Sequence, residues 1–257
     1  MCYHAPPAIA GAVPAVANSL AWCRFRTDRP AICRTDPKTS HLPQTLVVVL
    51  DLVLPLECGG CGAPSTRWCA ACARQLAVKP DQPHLITPRV DPGVPVLSLG
   101  RYAGARREAI VALKEHGRAD LVDPLASVLW SGLHNLMAWG LIATPLTIVP
   151  APTRRSAARR RGGDPVTRMA RAATAGHDGV DVVQALRLRS LVRDSVGLSG
   201  ADRQRNIAGR VKVVKPVSGH VLVVDDIVTT GATAGESVQM LSIAGAHVAA
   251  VLSIANA

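Results

Sequence analysis

Aromatic side chains make up only 3% of this 257-residue chain, with one Phe, two Tyr and four Trp. So thin a supply argues against a platform that stacks successive unpaired bases. It also obliges the core to be built from small aliphatic side chains, as in parallel sheets. Acidic residues are scarce as well: 18 Asp and Glu face 29 Lys and Arg, giving a formal charge of +11. An anionic ligand is therefore expected, and most of the excess is Arg, whose planar fork suits phosphate. Charge alone does not separate nucleic acid, nucleotide and pyrophosphate, because all draw on the same cations. Missing too is any uninterrupted apolar run of the roughly 18–20 residues that a bilayer span needs. The longest candidate, Leu125 to Ile142, is interrupted by His134 and Asn135 and reads as an amphipathic core helix. No Lys or Arg precedes the Ala-rich stretch in the first 20 residues. A secretory leader is accordingly not expected, and a cytoplasmic protein is. The chain has no internal repeat.

What is present organises itself along the chain. Residues 1–45 mix Pro, Ala, scattered Arg and the isolated Cys2, Cys23 and Cys33 without a helical or strand period; a poorly ordered extension or an over-extended reading frame is expected. Residues 46–79 hold a Cys-rich module, and residues 80–95, with Pro80, Pro83, Pro88, Pro92 and Pro95, read as a linker. The main domain then runs over 96–257. Its pattern alternates as in a parallel α/β sheet: a strand at Val96 to Tyr102, a helix at Arg106 to Glu115, and a helix with Pro124 in its first turn. A strand at Leu146 to Val149, a helix at Pro165 to Ala175 and a strand at Asp181 to Leu186 come next. Strands at Val211 to Val214 and Val221 to Val224, a helix at Gly231 to Ala244 and a strand at His247 to Ile254 complete the domain.

The most specific segment is Val221 to Thr233, a β-branched run that delivers Asp225 and Asp226 and then a Thr-Thr-Gly turn opening a helix. Adjacent carboxylates at a strand's carboxyl end can accept hydrogen bonds from vicinal ribose hydroxyls. The N–H groups and hydroxyls of Thr229, Thr230, Gly231, Ala232 and Thr233 sit where a helix dipole favours phosphate. An ordinary capped strand–helix junction would explain neither the doubled acid nor the doubled Thr. The stretch resembles the signature of type I phosphoribosyltransferases. That resemblance implies an α/β fold with a central, mainly parallel sheet flanked by helices. It also implies that Asp225 and Asp226 hold the ribose hydroxyls, that the Thr229–Thr233 loop holds the 5'-phosphate, and that Mg2+ accompanies the diphosphate of 5-phosphoribosyl diphosphate.

Two Arg-rich segments follow other strands. Thr153-Arg154-Arg155 through Arg159-Arg160-Arg161-Gly162-Gly163 stands after the strand ending at Val149, where Arg154 or Arg155 could contact a leaving pyrophosphate. Arg159 to Arg161 could equally be a solvated patch or a nucleic-acid contact. Arg187 to Asn206 occupies the place of a mobile hood that would exclude water on closing, with Arg203 and Asn206 the expected ligand contacts. Four features taken together resemble the ComF family of competence-associated, phosphoribosyltransferase-like proteins: Tyr102 with Leu113-Lys114 and Gly117; Val149-Pro150-Ala151-Pro152 with Arg161-Gly162; Arg203 with Asn206; and the acid pair. The chain departs from that family at Gly163-Asp164-Pro165, where Phe-Asn-Gln is usual, and at Ser195, where Gln is common.

Cys58-x-x-Cys61 and Cys69-x-x-Cys72 form two knuckle-like pairs, with Gly59, Gly60 and Gly62 permitting tight turns. Four thiolates suit tetrahedral zinc, and a closed four-Cys site should be structural; a redox dithiol pair or unbound cysteines are the alternatives. A closely similar module precedes the transferase-like domain in ComF proteins. His116, His134, His177 and His247 stand singly and are expected to pack or face solvent. Three functions compete: a phosphoribosyltransferase acting on an unidentified acceptor, a non-catalytic sensor of the diphosphate donor or a nucleotide, and an accessory of DNA uptake that binds single-stranded DNA. The partners expected are the donor, single-stranded DNA or a competence protein, and a second copy of the chain, without membrane insertion.

Overall fold

A computed structural model of the chain describes residues 56–153, 163–189, 209 and 211–257. The elements in chain order are α1 (Ala70–Leu76), β1 (His84–Ile86), β2 (Val96–Ser98), α2 (Gly104–Glu115), α3 (Val122–Ala138), β3 (Leu146–Pro150), α4 (Pro165–Thr174), β4 (Val180–Val182), β5 (Leu186–Leu188), β6 (Val211–Val213), β7 (His220–Val228), α5 (Ala232–Ile243) and β8 (His247–Asn256). Six strands form the main sheet in the order β1-β2-β8-β7-β3-β4; every neighbouring pair is parallel except β1 with β2. The fold is thus the expected α/β class, a mainly parallel central sheet flanked by helices.

The composition of β7 follows from burial on both faces. Leu222 and Val224 pack into one core with α2, α3 and α4, while Val221, Val223 and Val228 pack into a second core with α5, β5 and β6. Period-2 alternation between two apolar layers makes the strand read as a continuous apolar run. Helix α3 shows the complementary period: Val122, Leu125, Leu129, Leu133 and Leu136 are buried at three- and four-residue spacing. Each such Leu contributes about 1.5–3 kcal/mol by leaving water. Gly132 permits the close approach of α3 to the sheet, because a Cβ there would lie 2.5 Å from Leu99 Cδ2. The helix stops at Ala138, and among the described residues no helix is long and apolar enough to cross a membrane.

Three segments differ from expectation. The run from Asp181 to Leu186 is two elements, not one. Val183 N–H still donates to Ile148 O at 2.9 Å, but the chain then turns, and β5 leaves the main sheet to pair antiparallel with β6. The strand expected at Val211 to Val214 belongs to this two-stranded ribbon. The Pro-rich stretch of residues 80–95 is seated on the domain. Asn135 Nδ2, one of the polar interruptions in α3, donates to Lys79 O at 3.0 Å and to Gln82 O at 2.7 Å. The stretch then adds β1 to the sheet edge, and Val90 N–H donates to Thr230 O at 2.8 Å. Five prolines hide a strand from periodicity, although an edge position tolerates them well. The expectations for residues 1–45, and the first ten residues of the 46–79 module, with its apolar run Leu46 to Leu50, lie outside the described residues.

Candidate functional site

The acid pair stands where β7 outruns its neighbour. Pairing with β3 ends at Val224, with Ala151 N–H donating to Val224 O at 2.8 Å, whereas pairing with β8 continues to Val228. Among the described residues the last four of β7 therefore have no strand partner on the β3 side, at the carboxyl end of the sheet, where parallel sheets bind their ligands. Alternation sends the two carboxylates to opposite faces. Asp226 shares the face of Leu222 and Val224 and is buried, ringed by Ile110, Leu113, Leu125, Pro165, Val166 and Ile254. In these apolar surroundings Lys114 Nζ lies 2.8 Å from Asp226 Oδ2 as an ion pair; that oxygen is out of reach of solvent and, among the described residues, accepts no hydrogen bond. Asp225 is half-buried, and its Oδ1 accepts the Asp226 N–H at 2.8 Å. Burial pushes its pKa well above the usual carboxylate range, the neighbouring Asp226 charge adds to this, and Lys114 opposes it.

The Thr loop follows at once. Gly231 adopts φ +83° and caps α5 without a side-chain hydrogen bond; Gly235 N–H returns to Gly231 O at 2.8 Å. Thr229 is exposed, Thr230 and Thr233 are half-buried, and Gly231 and Ala232 are buried. The glycine is required twice over. Its left-handed φ disfavours any side chain, and a Cβ would lie 2.4 Å from Val90 O and 2.8 Å from Pro88 Cβ. The strap from Pro88 to Val90 thus lies directly on the loop, a neighbour that no sequence motif announced. Beyond it, Asp91, Gly93 and Val94 line a groove of about 510 Å3 with Gly235, Glu236 and Gln239 of α5, away from the acid pair.

Arg154, Arg155, Arg159 to Arg161, Ser195, Arg203 and Asn206 lie outside the described residues. The two ends of the first Arg segment are nevertheless fixed. Thr153 Oγ1 donates to Asp164 Oδ1 at 2.8 Å, and Asp164 caps α4 by accepting Thr167 N–H at 3.2 Å and the Thr167 hydroxyl. Gln184 Nε2 completes the network on Thr167 Oγ1 at 2.7 Å. The sequence departure Gly163-Asp164-Pro165 is therefore a helix start, with Asp at the cap and Pro at the first helical position.

The four cysteines converge as their spacing foretold. The Sγ atoms of Cys58, Cys61, Cys69 and Cys72 all lie within 4.8 Å of one another, and Cys61 and Cys69 Sγ are 3.6 Å apart. A tetrahedron of zinc–sulfur bonds of about 2.3 Å sets its sulfurs nearly 4 Å apart, so the cluster is compatible with structural zinc. Backbone amides support it: Cys69 N–H reaches Cys58 Sγ at 3.3 Å and Cys72 N–H reaches Cys69 Sγ at 3.4 Å. Burial works against the Cys58 thiolate, but amides from Cys69, Gly60 and Cys61 outweigh it and hold the pKa at about 6; burial pushes the Cys72 thiol up. The glycines serve packing more than turning. A Cβ on Gly59 would meet Leu121 Cδ1 at 2.5 Å, and one on Gly60 would meet Cys72 Sγ at 2.7 Å and Ala105 Cβ at 3.1 Å; only Gly62 has a positive φ, +74°. Cys58, Cys72 and Leu76 consequently belong to the same core as α2 and α3.

Comparison with known proteins gives a consistent set of relatives. The DNA utilization protein YhgH of Escherichia coli K12 is 29% identical over 193 residues, covering 72% of this chain and 77% of the relative. Proteins of the same name from Escherichia coli O157:H7 and Shigella flexneri are 30% and 28% identical over the same shares. Among solved structures, Leishmania donovani UMP synthase superposes with a TM-score of 0.33 at 12% identity; the match covers 73% of this chain and about a third, 32%, of that one. No family model matches the chain.

Proposed function

The chain belongs to the family of the DNA utilization protein YhgH, and within it we propose a protein that binds 5-phosphoribosyl diphosphate with Mg2+ and transfers the phosphoribosyl group to a nitrogenous acceptor. The observation that carries this reading is the junction of β7 and α5: two carboxylates, then a left-handed glycine at the helix N-terminus, with only the Thr230 hydroxyl, at 3.4 Å from Ala232 N, on its first amide. Asp225 and Asp226 would accept the ribose hydroxyls, and the amides and hydroxyls of Thr229 to Thr233 would take the 5'-phosphate. Arg154 or Arg155 would meet the diphosphate, as they follow Thr153, whose hydroxyl donates to Asp164. Arg203 and Asn206 would close over the ligand. Mg2+ would supply charge neutralisation on the diphosphate. Asp225 would hold such a cation, whose charge would oppose the rise in its pKa and favour the ionised carboxylate.

The chemistry would be displacement at C1 of ribose: the C1–O bond to diphosphate breaks as the acceptor nitrogen bonds to C1 and gives up its proton. Charge develops on the ribose ring and on the leaving diphosphate, so positioned acids and Arg side chains provide most of what the protein contributes. Zinc on Cys58, Cys61, Cys69 and Cys72 would hold the fold and take no part in the reaction.

A second reading has its own support. The relatives are named for DNA utilization, and the charge of +11 suits a polyanion. In that case the acid-pair site would serve as a sensor. Calorimetric titration with 5-phosphoribosyl diphosphate and Mg2+, run with pyrophosphate release over a panel of bases, separates the two. Binding with release establishes the transferase, and binding without release the sensor. Unchanged affinity in Asp225→Asn/Asp226→Asn removes the site assignment. Salt-dependent binding of single-stranded DNA that is lost on replacing Arg159 to Arg161 would support the accessory role.

A further inference from the structure

We propose that Lys114 is a positioning residue of the sugar-phosphate site, fixing the Asp226 carboxylate so that its remaining acceptor sites face the ligand; the inference rests on the ribose-binding reading of the acid pair. Asp226 Oδ2 is sealed from solvent, and the Lys114 ammonium at 2.8 Å is its partner. The residues around it, Ile110 and Leu113 of α2, Leu125 of α3, Pro165 and Val166 of α4 and Ile254 of β8, carry no charge. A carboxylate in such a place keeps one orientation only while its counter-charge stays in place; alone, it would be an uncompensated buried charge. Lys114 has that constancy because α2 is anchored at its far end. Arg106 Nη1, itself buried, donates to Ile254 O at 3.1 Å, and Ala105 lies against the first cysteine knuckle. Arg106, Ile110 and Lys114 recur at four-residue spacing and share one helical face. One stripe of α2 thus ties the helix to β8, fills the apolar wall and presents the ammonium to β7. The ammonium needs no contact with the sugar to act in this way.

The test is a double-mutant cycle read by calorimetric titration of the full chain with 5-phosphoribosyl diphosphate and Mg2+. Lys114→Met keeps the alkyl stem and removes the charge; it should weaken binding about tenfold or more, the loss expected when a buried carboxylate is left without its counter-charge. Lys114→Arg should restore most of the affinity. In the Asp226→Asn background, Lys114→Met should have no further effect, because there is no carboxylate left to orient. Circular dichroism and melting temperature confirm that each variant is folded. Wild-type affinity in Lys114→Met, or an equal loss from Lys114→Met with and without Asp226, overturns the role of Lys114 and leaves the ribose reading standing. If Lys114→Met does not fold, Lys114→Arg decides alone: near-wild-type binding supports positioning by charge, and a tenfold loss overturns it. Absence of binding by the wild type removes the ribose reading, and this inference with it.

Discussion

The cysteine centre and the acid pair solve opposite problems. The four thiols come from one short segment, Cys58 to Cys72, and reach one another with little help from the rest of the chain. The acid pair is assembled from afar: its counter-ion comes from α2, its loop is covered by the strap at Val90, and its pairing with β3 stops just before it. Yet the self-contained centre is the one with two of its members, Cys58 and Cys72, sunk in the shared core, while the long-range assembly lies at the carboxyl end of the sheet. A closed metal-type site can be spent on stability. A ligand site must keep polar groups accessible, and so depends on neighbours to hold them.

The contrast breaks most visibly at the cysteines. Cys58→Ser or Cys72→Ser should unfold the domain or lower its melting temperature by tens of degrees. A four-thiolate zinc site contributes about 10 kcal/mol or more to folding, and both side chains are buried against α2 and α3. One zinc per folded chain, lost together with the melting transition on chelation, is the accompanying measurement; retention of the fold by the zinc-free protein would refute the structural role.

Next in size is Gly231→Ala. Strain at φ +83° costs about 1–3 kcal/mol, and contact with Val90 O forces the strap away, so both stability and ligand affinity should fall. Denaturant melts and titration measure the two effects. A variant with normal affinity would mean that the strap does not shape the loop.

Asp225→Asn should separate binding from stability. A carboxyl whose folded pKa is raised holds its proton more tightly in the folded state, so stability falls as pH rises from the unfolded value through the folded one. Above that window the ionised group is a burden that Asn removes. Above that window the variant should melt about 2–4 °C higher for each kcal/mol regained, and it should bind 5-phosphoribosyl diphosphate poorly. The wild type alone should show the decline of melting temperature with rising pH.

The smallest effect belongs to the clasp. Asp164→Ala loses the cap of α4 and the bond to Thr153, about 1 kcal/mol by chemical melts. Its larger consequence should be weaker diphosphate binding with ribose 5-phosphate binding unchanged.

Much of the fold was legible. The helices at α2, α3, α4 and α5 and the strands at β3, β7 and β8 follow from periods of 3.6 and 2 that local sequence carries. The ribbon of β5 and β6 was not, because Leu186 to Leu188 and Val211 to Val213 have the alternation of any half-buried strand, and nothing in it names the partner. Nor was β1, hidden among prolines. Lys114 stood in a motif, but its ion pair with Asp226 spans most of the main domain and leaves no mark on either neighbourhood.

The sequence by itself determined two local patterns: four cysteines at knuckle spacing, and two acids followed by a Thr-Thr-Gly turn. Both depend on residue types at short separations, and a chain cannot hide those. The tertiary structure decided what surrounds them. It split the acid pair between two faces of β7, one carboxyl held by Lys114 and the other raised in pKa by burial. It laid the strap on Gly231 and merged the cysteine centre into the main core. Burial, counter-charge and steric closure are properties of atoms brought together across the fold, so they exist only once the chain has packed.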